Sequence, residues 1–275
     1  MYDFYFGEKA DIFRDEIKYL LSIKRMMPRW CNSIPDSEFI AIFNDLKDSK
    51  IVNEKNNGAI VETGCGASTI VLAYFAFKYN KKLYTWDINQ NKLSYIRSII
   101  VDTIEKQFMK SVFNVWCYVP YVSTSNELGI GIMNELNQKI DFAFFDSEHT
   151  SDVLLSEINL VLKYANDGAI LALDDANYNY KYKNISYINV FRKKMGLSPV
   201  ACPEDNITDK FYILAESEIK KMYPKSYNIN DTYKSDFKND IFWEYFSNDR
   251  QIMNNLNMEK LNELEHRYDS FKIVK

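Results

Sequence analysis

Carboxylates recur at the ends of apolar runs in this chain, and the first sits beside glycines. Ala59-Ile60-Val61-Glu62-Thr63-Gly64-Cys65-Gly66 ends a short apolar run in an acid, then sets two glycines at alternate positions. Ala67-Ser68-Thr69 follows and opens an apolar helix. Strand, glycine turn and helix in this order form the nucleotide-binding corner of an open α/β sheet. Gly64 and Gly66 permit a tight turn and close approach of a ligand. Glu62 precedes the first glycine by two residues, so its carboxylate is expected at the strand tip. A pyrophosphate would meet repulsion there, and a cationic ligand would be attracted.

Three further carboxylate sites follow the same pattern. Asp87 ends the run Lys82-Leu83-Tyr84-Thr85-Trp86. An acid at the end of the second strand of such a fold suits a ribose diol, because a carboxylate accepts from both hydroxyls. It also suits a helix N-terminus, and the two roles are compatible. Ile140-Asp141-Phe142-Ala143-Phe144-Phe145 delivers Asp146, with Ser147, Glu148 and His149 after it. Ala169-Ile170-Leu171-Ala172-Leu173 delivers Asp174 and Asp175. Neighbouring strands would bring these three acids within ~5 Å. Acids that close repel one another unless a cation lies among them, and hard oxygen ligands favour Mg²⁺, Mn²⁺ or Ca²⁺. The plain alternative is a helix cap at Asp175 and carboxylates facing water. At the first corner, S-adenosylmethionine is the fitting ligand: it carries an amino group and a sulfonium and no phosphate.

The elements that position these residues follow from periodicity. Strands are expected near 59–63, 82–87, 113–119, 140–146 and 169–174, with helices near 67–79, 91–107, 125–137 and 151–165. Alternation at this spacing implies right-handed crossovers and a parallel sheet. Two amphipathic helices are expected before it, over 9–27 and near 37–48, and Pro28-Arg29-Trp30-Cys31 reads as a loop. A further helix fits 185–195, and Phe211-Tyr212-Ile213-Leu214-Ala215 reads as a late strand with Val200-Ala201-Cys202 as a candidate partner. Residues 250–271 place Ile252, Met253, Leu256, Leu261, Leu264, Tyr268 and Phe271 at helical spacing.

Taken together, Glu62-Thr63-Gly64-Cys65-Gly66, Asp87, Phe145-Asp146-Ser147-Glu148-His149 and Leu173-Asp174-Asp175 resemble class I S-adenosylmethionine-dependent methyltransferases. Among these the chain looks most like the small-molecule O-methyltransferases of the macrocin and catechol type. The resemblance spans roughly residues 55–215. It implies a Rossmann-like α/β sheet, mostly parallel with its last strand antiparallel. It implies cofactor contacts at Glu62, Gly64, Gly66, Ser68, Asp87 and Ile88, and a Mg²⁺ or Mn²⁺ site at Asp146, Asp174 and Asp175. Catechol-type members carry a lysine base three residues after the first metal acid; here His149 holds that place, and a group of pKa about 6.5 can serve. Its plain alternative is a structural or substrate-orienting hydrogen bond. The chain departs from the family where an acid often follows strand three: Val119-Pro120-Tyr121-Val122-Ser123 offers none, leaving Ile88 as a packing surface for adenine.

Organisation and partners complete the expectation. Residues 1–54 form an N-terminal helical cap, 55–216 the cofactor-binding core, and 217–275 a partly helical extension. With 275 residues, 47% hydrophobic and 26% charged content, this is an ordinary globular composition. A net charge of -4 gives no reason to expect nucleic acid or an anionic membrane. Cys31, Cys65, Cys117 and Cys202 form no C-x-x-C pair, so structural zinc is not expected. The opening Met-Tyr-Asp-Phe-Tyr-Phe-Gly-Glu lacks the basic and apolar regions of a secretory leader, and cytoplasm is the expected location. The expected activity is methyl transfer to a hydroxyl of a small-molecule acceptor, a sugar or polyol metabolite being the first choice. A nicotinamide-dependent oxidoreductase shares the glycine turn and the second-strand acid, but Glu62 would face its pyrophosphate and Thr69 stands where a third Gly or Ala belongs. A non-catalytic scaffold using the tail for interaction is the third reading. The apolar stripe of the tail must pack somewhere; its own sheet and a second subunit are the two options, and a homodimer through the tail is the expectation.

Overall fold

The computed structural model describes residues 2–3, 8–53, 55–148, 151–174, 196–198, 250–264 and 268–274. Two short antiparallel strands, β1 (Tyr2–Asp3) and β2 (Glu8–Lys9), precede α1 (Glu16–Met26) and α2 (Asp36–Asp48). The alternating part then runs β3 (Gly58–Thr63), α3 (Ala67–Lys78), β4 (Leu83–Trp86) and α4 (Gln90–Ile100). It continues with α5 (Lys106–Phe108), α6 (Val112–Val115), β5 (Trp116–Val119), β6 (Lys139–Phe145), α7 (Ser151–Tyr164) and β7 (Ala165–Asp174). A short helix, Arg250–Asn255, leads to β8 (Met258–Leu264) and β9 (Tyr268–Ile273).

Among the described residues, seven strands form one sheet in the order β5-β4-β3-β6-β7-β9-β8. Pairs β3–β4, β4–β5, β3–β6 and β6–β7 are parallel, whereas β9 is antiparallel to both β7 and β8. Among the described strands the last, β9, alone runs against the rest, as expected for a Rossmann-like methyltransferase sheet. From β3 the chain first builds outward through β4 and β5, then returns to the other side for β6. The switch point thus lies between β3 and β6, and the crevice at their carboxyl ends is where such sheets bind ligands.

Both faces of the sheet are covered. Ile60, Leu83, Trp116, Phe142 and Phe144 face α1, α2 and α3 in one cluster. Ala59, Val61, Ala143, Phe145 and Leu171 face Leu154, Ile158 and Val161 of α7 in the other. β3 is buried along its whole length, which is why its sequence reads as a continuous apolar run.

Three expectations are corrected. First, residues 125–137 are not a helix: only Ile130–Met133 forms a 3₁₀ turn. A Cβ on Gly129 would lie 2.4 Å from the carbonyl oxygens of Ser123 and Ser125, so the backbone folds too tightly there for an α-helix with side chains. Second, the strand expected at 113–119 begins at Trp116, because Val112–Val115 closes a helical turn capped by the Ser111 side chain. Third, the tail over 250–271 is helical only to Asn255, and β8 and β9 add to the core sheet. The antiparallel strand beside β7 is supplied by the far end of the chain, Tyr268–Ile273. The elements expected at 185–195, 200–202 and 211–215 lie outside the described residues.

Several of the tail's apolar side chains pack within the chain. Met253, Leu256, Met258, Phe271 and Ile273 join the α7-side cluster, and Tyr268 joins the other. Of the stripe that suggested a second subunit, Leu256 is buried in the chain's own core, whereas Leu261 is 41% exposed. Among the described residues no helix is long and apolar enough to cross a membrane. Phe271 is fully buried in the middle of β9, so Phe271→Ala is expected to cost about 3–5 kcal/mol. Urea denaturation of the full chain checks this; a loss under about 1 kcal/mol would contradict β9 as a core strand.

Candidate active site

Gly64 takes a positive φ of 84° immediately after β3, a conformation in which a side chain is strained. A Cβ there would also lie 1.8 Å from the carbonyl oxygen of Asp146. The Asp146 N–H donates to the Thr63 carbonyl at 2.8 Å. Glycine therefore lets the ends of β3 and β6 close on each other, and this brings Asp146 to the turn.

Each N–H of the turn already has an acceptor within the protein. Gly64 donates to the Trp86 carbonyl at 2.8 Å. Cys65 donates to Asp87 Oδ2 at 2.8 Å, and Gly66 donates to Thr69 Oγ1 at 3.0 Å. A phosphate-binding turn presents such groups to its ligand; this one uses them to hold its own shape. Asp87 also accepts from the Asn89 N–H through Oδ1 at 2.7 Å. Each carboxylate oxygen of Asp87 thus accepts one backbone N–H and keeps lone-pair capacity for a further donor. Lys92 Nζ stands 3.7 Å from Asp87 Oδ2.

A cavity of about 530 Å³ opens at these strand ends, lined by Gly64, Asp87, Ile88, Lys92, Asp146 and Glu148 among others. Gly64, Asp87, Ile88 and Asp146 are thus brought together as the sequence suggests. Ile88 is 71% exposed, an apolar surface open to the cavity. Glu62, Gly66 and Ser68 are not among the lining residues. Asp174 is buried at the end of β7; the register Phe145↔Leu173 places it level with Asp146 on the adjacent strand. His149 and Asp175 lie outside the described residues. Among the described residues, no group of three or more His, Cys, Asp or Glu could hold a metal ion.

Glu62 lies behind the turn, fully buried. Its carboxylate accepts from Ser68 Oγ at 2.7 Å, Thr85 Oγ1 at 2.8 Å and Thr69 Oγ1 at 2.9 Å. Burial pushes its pKa up from 4.5 to about 8; the three hydroxyl bonds oppose the rise and Asp146 adds to it. The carboxylate also lies beneath the N-terminus of α3, where the helix dipole favours negative charge.

Several cavity residues escaped the sequence reading. Trp30 comes from the loop after α1 and packs against Tyr95 with ring centroids 5.3 Å apart. The carbonyl of its neighbour Cys31 lies 3.4 Å from where a Gly66 Cβ would be, so this loop covers the turn. Ser147 donates to Glu157 Oε1 at 2.7 Å, and Ser123 donates to the same oxygen. Glu157, buried on α7, thereby ties the Asp146 loop to the loop after β5. Glu157 lies in an amphipathic helix among other charges; only the fold reveals that it faces inward.

Residues 61–176 match the family model described as a methyltransferase domain, which bears out the methyltransferase resemblance for that segment. None of the curated proteins compared matches the chain by sequence. Among solved structures, the O-methyltransferase TomG from Streptomyces achromogenes, in complex with SAM, is similar at 12% identity, covering 99% of this chain and 96% of that one with a TM-score of 0.49. The SAH-bound methyltransferase PaMTH1 of Podospora anserina is similar at 12% identity over 94% and 87%, TM-score 0.49. An O-methyltransferase from Bacillus cereus in complex with SAH is similar at 14% identity over 97% and 92%, TM-score 0.49.

The raised pKa of Glu62 makes stability depend on pH. Between 4.5 and about 8 the folded chain holds a proton that the unfolded chain has released. Stability from this group is complete below pH 4.5 and is lost as pH rises through about 8, by at most about 1.4 kcal/mol per pH unit. Glu62→Gln removes this component. Urea midpoints of both proteins at several values from about pH 5 to 8.5 check it; identical slopes would contradict the assignment.

Proposed function

We propose that the chain is an S-adenosylmethionine-dependent O-methyltransferase acting on a small molecule. The observation that carries this reading is the turn whose three N–H groups are all bonded internally while carboxylates line the cavity beside it. That arrangement suits a cofactor without phosphates and with cationic groups. It argues against the nicotinamide-dependent alternative, whose pyrophosphate needs free N–H donors at this point.

S-adenosylmethionine supplies an electrophilic methyl group on a sulfonium. Asp87 would hold the ribose hydroxyls with its remaining lone pairs, and Ile88 would pack against the adenine. Asp146 and Glu148 make the cavity negative where a cationic ligand enters. Gly64 lines the cavity where the ends of β3 and β6 close on each other. The acceptor hydroxyl would lose its proton to His149 or to a metal-bound base, and orientation against the methyl group would supply much of the rate. A sugar or other polyol is the proposed acceptor class, since carboxylates at the cavity can accept from its hydroxyls.

A divalent cation would be held by Asp146 and Asp174, on the ends of adjacent strands, with Asp175 as the third ligand. Its contribution would be to stabilise negative charge on the acceptor oxygen. Cytoplasmic location and self-association are consistent with this role and rest on no feature of the site.

S-adenosylhomocysteine is expected to bind with micromolar affinity and raise the melting temperature, whereas NAD leaves it unchanged. Asp87→Ala should weaken binding about tenfold or more, the cost of a charged hydrogen bond. Calorimetry showing NAD bound and S-adenosylhomocysteine unbound would refute the reading. Methyl transfer should fall in EDTA and recover with Mg²⁺ or Mn²⁺; Asp146→Asn should lower turnover far more than cofactor affinity. Undiminished activity in excess EDTA would remove the metal from the proposal and leave the cofactor.

A further inference from the structure

Glu62 is fully buried, yet it is the acid whose position first suggested a ligand contact. What surrounds it is a chain of hydrogen bonds with a fixed direction. Trp116 Nε1 on β5 donates to Thr85 Oγ1 at 2.9 Å. An indole N–H can only donate, so Thr85 accepts there and directs its own proton to Glu62 Oε2 at 2.8 Å. On the other side the Gly66 N–H, again only a donor, bonds to Thr69 Oγ1 at 3.0 Å. Thr69 in turn donates to Glu62, 3.0 Å from Oε1 and 2.9 Å from Oε2. Ser68 completes the set at Oε1, 2.7 Å away. Glu62 and Thr85 are direct partners across β3 and β4, so the sheet register itself sets this geometry.

We infer that Glu62 is a positioning residue for the glycine turn: through Thr69 it fixes the Gly66 N–H, and through Thr85 it links the turn to the Trp116 indole across the sheet. It acts as an acceptor of hydroxyl protons, not as a counter-charge for a ligand. Oε2 accepts from Thr85 and is the nearer oxygen to Thr69, whereas Oε1 faces Ser68, whose hydroxyl can donate or accept. A neutral glutamine with its oxygen at Oε2 and its amide at Oε1 satisfies the same partners. Alanine satisfies none of them and strands the two threonine hydroxyls, with Trp116 and Gly66 behind them, in a dry interior. Thr85→Val cuts only the branch to Trp116.

Amide hydrogen exchange of Gly66 and the ¹H–¹⁵N resonance of the Trp116 indole report the two ends of the chain without any ligand. Glu62→Ala should speed Gly66 exchange about tenfold or more, and Glu62→Gln should keep it within about threefold of wild type. Thr85→Val should shift the Trp116 indole resonance, assigned by its loss in Trp116→Phe, and remains usable if Glu62→Ala fails to fold. A second arm rests on the S-adenosyl reading: S-adenosylhomocysteine affinity should fall about tenfold in Glu62→Ala and be largely retained in Glu62→Gln. Equal weakening by alanine and glutamine would mean that the charge itself contacts the ligand, and overturns the inference. Unchanged Gly66 exchange in Glu62→Ala overturns it as well, as does an unmoved Trp116 resonance in Thr85→Val. Absence of S-adenosylhomocysteine binding to the wild type would instead strike the proposed function, since the exchange measurements stand apart from it.

Discussion

The close approach of β3 and β6 at Gly64 is the constraint on which the site depends. With no Cβ in the way, the Asp146 carbonyl comes nearer to the turn than any side chain would allow. The bond from the Asp146 N–H to Thr63 extends the parallel pairing one step past the strand end. One conformational permission therefore sets three things at once. It turns the chain from β3 into α3, it carries Asp146 to the crevice, and it places the mouth of the cavity at the topological switch point. The layers on either face hold this arrangement in place, since β3 and β6 are buried from end to end apart from Lys139.

The turn shows how one backbone shape can serve opposite electrostatics. In a phosphate-binding corner the N–H groups and the helix N-terminus face outward to an anion. Here Asp87 and Thr69 occupy two of those donors, and Glu62 lies under the start of α3. The turn's donors are thus taken up within the protein, and Asp87 stands beside the turn at the crevice. The hydroxyls of Ser68, Thr69 and Thr85 make the burial of Glu62 tolerable, because a buried carboxyl group without hydrogen-bond partners would be strongly disfavoured.

Much of this was legible in the sequence, and the failures have physical causes. β3, β6 and β7 are sandwiched between helices, so their apolar runs stand out, and acids at their ends mark the carboxyl edge. β8 and β9 hide for a structural reason. β9 is buried on both faces, so Tyr268 and Phe271 join opposite layers while their separation mimics a helical turn. In β8 the register slips between Lys260 and Asn262, and Met258, Leu261 and Leu264 stand three apart in sequence across that slip. Glu62 was placed correctly at the strand tip, but alternation puts its side chain beneath α3 and away from the cavity. Trp30 and Lys92 reach the crevice from a loop and a helix face, and nothing in local spacing signals that.

The cavity's charges also discriminate among ligands. Three of its lining residues are carboxylates, Asp87, Asp146 and Glu148, and one is an ammonium, Lys92. Lys92 stands beside Asp87, so these two charges offset each other at the β4 side of the crevice, while Asp146 and Glu148 leave negative charge at the β6 side. A ligand spanning the cavity meets an electrostatic gradient along its length. A zwitterionic molecule with hydroxyls can align with that gradient, whereas a dianionic one must set charge against Asp146 or Glu148. In a crevice partly screened from water such a mismatch weighs more than it would on an open surface. The carboxyl ends of the strands thus do more than locate a site: the order in which acids and the lysine arrive there selects the kind of molecule that fits.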